Sequence, residues 1–317
     1  IGSAYSSSGG SSAEMVIQQA DLALHEAKAE GRNEIRQYSG ELVAKVSSHL
    51  SIQGDLRKAL DNGEFQLFYQ PKISTRNQSV CGFEALVRWF HPVKGIVPPD
   101  QFISVAEDTG QIVELGMWVL ETACKQAKQW IDDDLIDVKM AVNVSDRQFK
   151  EKGMTDLVFD VLKRSGLSAK NLELEMTEGV LMADPNTSDM IAILRSQGIS
   201  IALDDFGTGY SSLAYLKQMP VDIIKIDRSF VSGMSDNSAD MQIVSSTIAM
   251  VQKLGMQVVA EGVETSAQME MLRGLQCEIG QGYFISRPIP ESELYSILPE
   301  KLLGGVWDKL DQLHTKS

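Results

Sequence analysis

The side chains able to do chemistry gather at the ends of short apolar runs. Glu84 sits in FEALVRW, Asn143 in AVNVS, Glu175 in LELEMTE, and Asp204-Asp205 close ISIALDD. Lys225 and Asp227 follow in IIKIDRS, Glu261 in VVAEGVE and Gln281 in IGQGY. Runs this short read as buried strands, so each strand delivers an ionisable or amide side chain at its C-terminal end. If those ends meet, Glu84, Glu175, Asp204, Asp205 and Glu261 put five carboxylates into one partly dry space. They cannot all stay ionised there without cations, and Lys225 offsets only one charge. All-oxygen donors with one Asn carbonyl suit Mg²⁺ or Mn²⁺ rather than Zn²⁺, which takes His and Cys. The four histidines, His25, His49, His91 and His314, all lie off these strand ends. A carboxylate shared between two ligand groups builds a two-metal site, and two ions about 3.5–4 Å apart can activate water and stabilise both oxygens of an in-line displacement at phosphorus. The pattern points to a metal-dependent phosphoester hydrolase.

Each residue also has a structural reading. Glu84 can pair with Arg88 four residues on, and Lys225 with Asp227. Asn143 can cap the following helix, in competition with Ser145. Glu178 can open a helical turn, and Asp204-Asp205 before Phe206-Gly207 can be an acidic turn. The case for a site rests on all of them falling on strand ends at once.

Positioning these groups requires a repeating scaffold. Phe65–Gln70 and Val80–Trp89, joined by the turn TRNQS, read as a hairpin, so one strand runs antiparallel to its neighbours. From Pro99 onward helices and strands alternate. Helices are expected at Pro99–Glu107, Ile112–Trp130, Asp146–Arg164, Thr187–Gln197, near Ser212–Lys217, at Ala239–Leu254, at Ser266–Leu275 and after Pro290. Strands are expected at Val138–Val144, Leu172–Thr177, Ile199–Asp204, Ile223–Ile226, Gln257–Ala260 and Glu278–Gln281. Repeated β-then-α units imply a parallel sheet. Their number favours closure into a (β/α)₈ barrel, whose active sites lie at the C-terminal ends of the strands. An open doubly wound sheet is the alternative, weakened by the lack of a GxGxxG loop after the first strand.

The 317 residues carry a formal net charge of −14, which disfavours broad attraction to nucleic-acid polymers or anionic membranes. The three cysteines, Cys81, Cys124 and Cys277, are too few and too scattered for a disulfide framework. A reducing cytoplasm fits, with the thiols buried or inert. No apolar run approaches the ~20 residues of a membrane span. The chain starts at Ile1 without Met and reads as a fragment, so an anchor in the inner membrane upstream is compatible with it.

The ordered words YQPK (Tyr69–Lys72), EALVRW, NVS, ELEMTE, DDFGTGYSSL, KIDRSF, AEGVET and QGY resemble the EAL-domain cyclic di-GMP phosphodiesterases over about Leu50 to Leu298. The words ADLALHEAKAEGRN (Ala20–Asn33) resemble the last helix of a GGDEF domain whose signature loop is absent from this chain. The resemblance implies four regions: a C-terminal GGDEF remnant of one strand and one helix (1–38), a linker helix (39–50), the EAL domain (51–300) and a helical tail (301–317). It implies an α/β fold, a modified TIM barrel with one antiparallel strand. It also implies hydrolysis of 3′,5′-cyclic di-GMP to linear pGpG with two Mg²⁺ or Mn²⁺ ions. Glu84, Asn143, Glu175 and Asp204 would hold the first ion, and Asp204, Asp205 and Glu261 the second. Lys225 would position or help deprotonate the attacking water, with Asp227 and Gln281 in support. Gln70 and Arg88 would contact the substrate. Glu178 would hold the loop that begins Phe206, Gly207, Thr208, Gly209, Tyr210 and Ser211, and that loop would lie beside a homodimer contact. Upstream GGDEF or sensor domains would be partners in the full-length protein. A catalytically silent cyclic di-GMP receptor is the alternative, but such receptors typically lose ligands that are all present here. Met176, and Ile285 to Pro288, depart from the commoner family residues without touching an expected ligand.

Overall fold

The computed structural model describes residues 2–3, 16–17, 20, 23–24, 36–38, 40–135, 137, 139–183, 186–207, 219–235 and 238–294. Two short strands, β1 (Gly2–Ser3) and β2 (Arg36–Gln37), pair in parallel ahead of helix α1 (Gly40–Ala59). Then come β3 (Phe65–Ser74), β4 (Val80–His91), β5 (Gly95–Val97), α2 (Pro99–Thr109), α3 (Ile112–Asp132), β6 (Lys139–Asn143), α4 (Asp146–Phe149), α5 (Met154–Ser165), β7 (Leu172–Thr177), α6 (Glu178–Ala183), α7 (Asn186–Ser196) and β8 (Ser200–Phe206). The barrel is completed by β9 (Ile223–Ile226), α8 (Arg228–Gly233), α9 (Ser238–Lys253), β10 (Gln257–Ala260), α10 (Ser266–Gly274) and β11 (Ile279–Gly280), with a short β12 (Ile289–Pro290) beyond.

Eight strands close on themselves in the order β3-β4-β6-β7-β8-β9-β10-β11 and back to β3. From β4 to β11 all barrel pairings are parallel, whereas β3 is antiparallel to both of its neighbours. The fold is a modified TIM barrel, closed rather than doubly wound. The short turn after Ser74, with Gln78 at φ 59, reverses the chain too quickly for the helical crossover that a parallel pair needs. The resulting register sets Gln70 opposite Glu84 and Lys72 opposite Gly82.

Two cores result. Between barrel and helices, Trp89 packs against Phe65 and Phe102, and Trp130 against Tyr69 and Phe83. Ala202, Ile223, Val259 and Ile279 form a separate small cluster. Each stands two residues before Asp204, Lys225, Glu261 or Gln281, and residues two apart share a strand face. The apolar plug is therefore the floor under the polar mouth.

The helix expected over Asp146–Arg164 is two helices. Gly153, at φ 81, separates α4 from α5, a left-handed conformation that glycine adopts without a Cβ clash. The helix expected near Ser212–Lys217 lies outside the described residues. The chain is helical again at 291–294, after Pro290. All three cysteines are free. Burial pushes the Cys124 and Cys277 thiols up to about 12 and that of Cys81 to about 11. No helix among the described residues is long and apolar enough to cross a membrane.

Candidate active site

Asn143 and Glu175 fall at the ends of neighbouring strands in register with each other, and Thr177 pairs with Asp204 on the next strand. At Asp204-Asp205 alternation should send one carboxylate outward. Instead, β8 carries one extra residue against β9 between Leu203 and Phe206, and Asp205 adopts φ 53. Asp tolerates this left-handed conformation better than most residues, and a bulge re-aims the side chain. Asp204, Asp205 and Glu261 thereby bring one oxygen each to within 4.8 Å of one another. This all-oxygen, acidic donor set fits a hard divalent cation.

Lys225 stands in the middle. Its ammonium is 2.6 Å from Glu175 Oε2, 2.7 Å from Glu261 Oε1, 3.2 Å from Asp204 Oδ1 and 3.9 Å from Glu84 Oε2, with the side chain 1% exposed. It does not pair with Asp227, whose carboxylate caps α8 through the Ser229 N–H at 3.0 Å. Glu84 accepts from Asn143 Nδ2 at 2.7 Å and from Gln281 Nε2 at 2.5 Å. The Gln281 amide also donates to Gln70 Oε1 at 3.0 Å. The helix cap that competed for Asn143 is made by Ser145, in a capping box with Gln148. Arg88 stacks over Phe68 at 5.6 Å. The Gly207 N–H donates to Glu178 Oε1 at 3.5 Å, which links the start of the Asp-Asp loop to the residue after β7. Thr208, Gly209, Tyr210 and Ser211 lie outside the described residues.

Charge is unevenly shared in this cluster. Burial pushes the Glu175 carboxyl up, but Lys225 and Lys72 outweigh it and bring it down to about 2. Glu84 is raised by burial and by Glu175. Glu261 is raised to about 8 by burial, against the pull of Lys225. Asp205 is raised by burial and by Asp204. Burial disfavours the Lys225 ammonium, yet the surrounding acids led by Glu175 drive its pKa well above the ordinary lysine value. The mouth is thus short of positive charge, and a divalent ion would relieve that deficit.

Two cavities open at this end. One of 310 Å³ is lined by Gln70, Glu84, Asp227, Glu261, Gln281 and Tyr283, among others. The other, of 330 Å³, includes Arg88, Asn143, Thr177 and Asp204. Leu86 and Asp205 border both.

Three residues escaped the sequence reading. Lys72 and Glu173 are buried and bonded to each other beneath Glu175, and Glu264 lines the first cavity. The first two had a signal, since Lys72 stands two residues from Gln70 and Glu173 two from Glu175, hence on the same strand faces.

The model of the EAL domain matches residues 53–288. The bifunctional diguanylate cyclase/cyclic di-GMP phosphodiesterase MucR of Pseudomonas aeruginosa is 43% identical over 276 residues, 87% of this chain and 40% of that protein. The cyclic di-GMP phosphodiesterase NbdA of the same organism is 41% identical over 290 residues, 91% of this chain and 37% of that protein. The chain thus spans about two fifths of the length of these relatives. A solved structure of the MucR phosphodiesterase in complex with c-di-GMP superimposes with a TM-score of 0.74 at 43% identity, covering 77% of this chain and 99% of that one. From the closed barrel, the strand-end acids and these matches together, the chain belongs to the EAL domain family.

Proposed function

We propose that this chain hydrolyses cyclic di-GMP to linear pGpG with two divalent cations, Mg²⁺ or Mn²⁺. Glu84, Asn143, Glu175 and Asp204 would hold one ion, and Asp204, Asp205 and Glu261 the other. When bound, such ions lower the pKa of water and neutralise charge on the phosphoryl oxygens. Lys225 orients the attacking water, whose oxygen forms the new bond to phosphorus as one ester P–O bond breaks and the leaving oxygen takes up a proton. Gln70 and Arg88 bind the substrate, Arg88 as a phosphate partner. Gln281 holds Glu84 and Gln70 in place, and Asp227 steadies the end of β9. The two cavities that meet at Leu86 and Asp205 suit a ligand with two nucleotide halves. Glu178 ties the loop that starts at Phe206 to the site, and through that loop homodimerisation would bear on turnover. Residues 1–38 are read as the end of a GGDEF domain, and upstream domains as partners.

The observation that carries this reading is Lys225, a single cation lying within 3.9 Å of four carboxylates, on β4, β7, β8 and just past the end of β10. The test is incubation with cyclic di-GMP and Mg²⁺ followed by product separation. Linear pGpG should appear, and a chelator should abolish it. Intact substrate with binding retained would instead establish a receptor.

A further inference from the structure

Lys72 belongs to none of the ligand groups above, yet it is the buried partner of one ligand. Its ammonium donates to Glu175 Oε1 at 2.5 Å and to Glu173 Oε1 at 2.7 Å, and its side chain is 3% exposed. Lys225 holds the other oxygen of the same carboxylate, Oε2, at 2.6 Å. Glu175 is therefore held by two ammonium groups, one from the antiparallel strand β3 and one from β9. The two lysines differ in reach. Lys225 shares its charge among acids at the mouth, whereas the carboxylates within 4 Å of Lys72 among the described residues are Glu173 and Glu175. Gly82 stands opposite Lys72 in register, and a Cβ there would lie 3.1 Å from the Lys139 carbonyl oxygen and 3.7 Å from Lys72 Cδ.

We infer that Lys72, anchored by Glu173, is a positioning residue that presents Glu175 to a divalent cation through Oε2 alone. The inference rests on the reading of the barrel mouth as a metal-dependent phosphodiesterase site. A carboxylate free to turn can offer either oxygen or both. A charge-assisted bond to Oε1 fixes its plane and its donor atom, and groups that orient ligands in this way set metal affinity. The competing account makes Lys72 a plain counter-charge. The two accounts differ in sign. A cation beneath the site repels a divalent ion, so removing a counter-charge tightens metal binding, whereas removing a positioning group weakens it.

The test is Mn²⁺ binding to the full chain without nucleotide, followed by the loss of the free-ion electron paramagnetic resonance signal. The variant is the double substitution Lys72→Met with Glu173→Gln, which keeps the net charge and nearly the volume of the pair. Mn²⁺ affinity should fall by about 10-fold or more. At saturating Mn²⁺ the KM for cyclic di-GMP should stay unchanged. Affinity within about twofold of the unsubstituted protein, or tighter, overturns the inference, because orienting groups matter by about 10-fold or more. If the double variant does not fold, Glu173→Asp alone keeps the net charge and the Lys72–Glu175 bond but draws the anchoring carboxylate back from the Lys72 ammonium by one methylene. A severalfold loss is then expected, and unchanged affinity overturns the inference. Failure of the unsubstituted protein to bind Mn²⁺ would sink the reading of the site and the inference with it. Binding by the unsubstituted protein with no change in the variants sinks the inference alone.

Discussion

The ammonium of Lys225 on β9 lies 2.7 Å from Oε1 of Glu261, just past the end of the neighbouring β10. The same ammonium reaches back to Glu175 on β7 at 2.6 Å, so one side chain ties three strands together across the barrel mouth. Lys225→Met would leave buried acids without their cation. Removing one partner of a buried ion pair costs about 3–5 kcal/mol. Thermal unfolding without divalent ions should show the variant melting well below the unsubstituted protein. Mg²⁺ should raise its melting temperature more than it raises that of the unsubstituted protein, because the metal then supplies the missing positive charge.

Glu84→Gln tests the opposite wall. The Glu84 carboxylate accepts from both Asn143 and Gln281, and the substituted amide turns an NH₂ group toward one of these donors. It also removes one charge from the proposed ligand set. Turnover of cyclic di-GMP should fall by about 100-fold, as expected when a metal ligand and its hydrogen bonds are disturbed together. The circular dichroism spectrum should be unchanged. A variant keeping more than about a tenth of the activity would contradict the role given to Glu84.

Much of this site was legible because barrel geometry converts sequence position into spatial position. A polar residue at the end of an apolar run, as at Glu175, Lys225 or Glu261, is at the mouth whatever its neighbours do. The TRNQS turn was equally readable and yielded the one antiparallel strand. Lys72 and Glu173 were harder, because they lie inside strands where alternation places a residue on a face without saying whether that face is apolar or ionic. The bulge at Asp205 was not legible, since the extra residue on β8 is defined only against its partner β9. The break at Gly153 followed from one backbone angle, and helical periodicity runs straight through it.

The raised carboxyls make the metal-free protein sensitive to pH. Burial pushes the Glu261 carboxyl up to about 8 in the folded chain, against the ordinary Glu value of 4.5 in the unfolded one. Below the unfolded value both states are protonated and nothing is lost. Between the two values only the unfolded chain gives up the proton, so folding stability falls as pH rises through about 8. Glu84, raised in the same direction, adds to the trend. Glu175, lowered to about 2, acts in the opposite sense, and its contribution is lost only as pH falls from about 4.5 towards 2. Denaturant melts with a chelator present should therefore show stability declining from about pH 5 to about pH 8. Mg²⁺ should flatten that decline, since a bound cation favours the ionised acids. A flat profile without metal would contradict the strained cluster.

Gly282 offers a test of the segment that carries Glu261. The chain after β10 and the chain after β11 are bonded backbone to backbone, Val263 N–H to the Gln281 carbonyl at 3.0 Å and Phe284 N–H to the Val263 carbonyl at 2.9 Å. Gly282 sits where they cross. A Cβ there would lie 2.2 Å from both the Val263 nitrogen and its carbonyl oxygen, and these are backbone atoms that no rotamer change can move aside. Gly282→Ala must push the 261–263 segment away from Gln281, at a cost of about 1–3 kcal/mol for overpacking. The displacement also carries Glu261 off Lys225, so metal affinity should fall by about 10-fold or more. Gly54→Ala in α1 is the control, because a Cβ there meets nothing within 4 Å. Alanine in a helix is favoured over glycine by about 0.5–1 kcal/mol, so this variant should melt at or above the unsubstituted protein. Parallel melting curves and Mn²⁺ titrations of the two variants check both outcomes, and a Gly282→Ala protein matching the control in both would show that the crossing has slack to accept a methyl group.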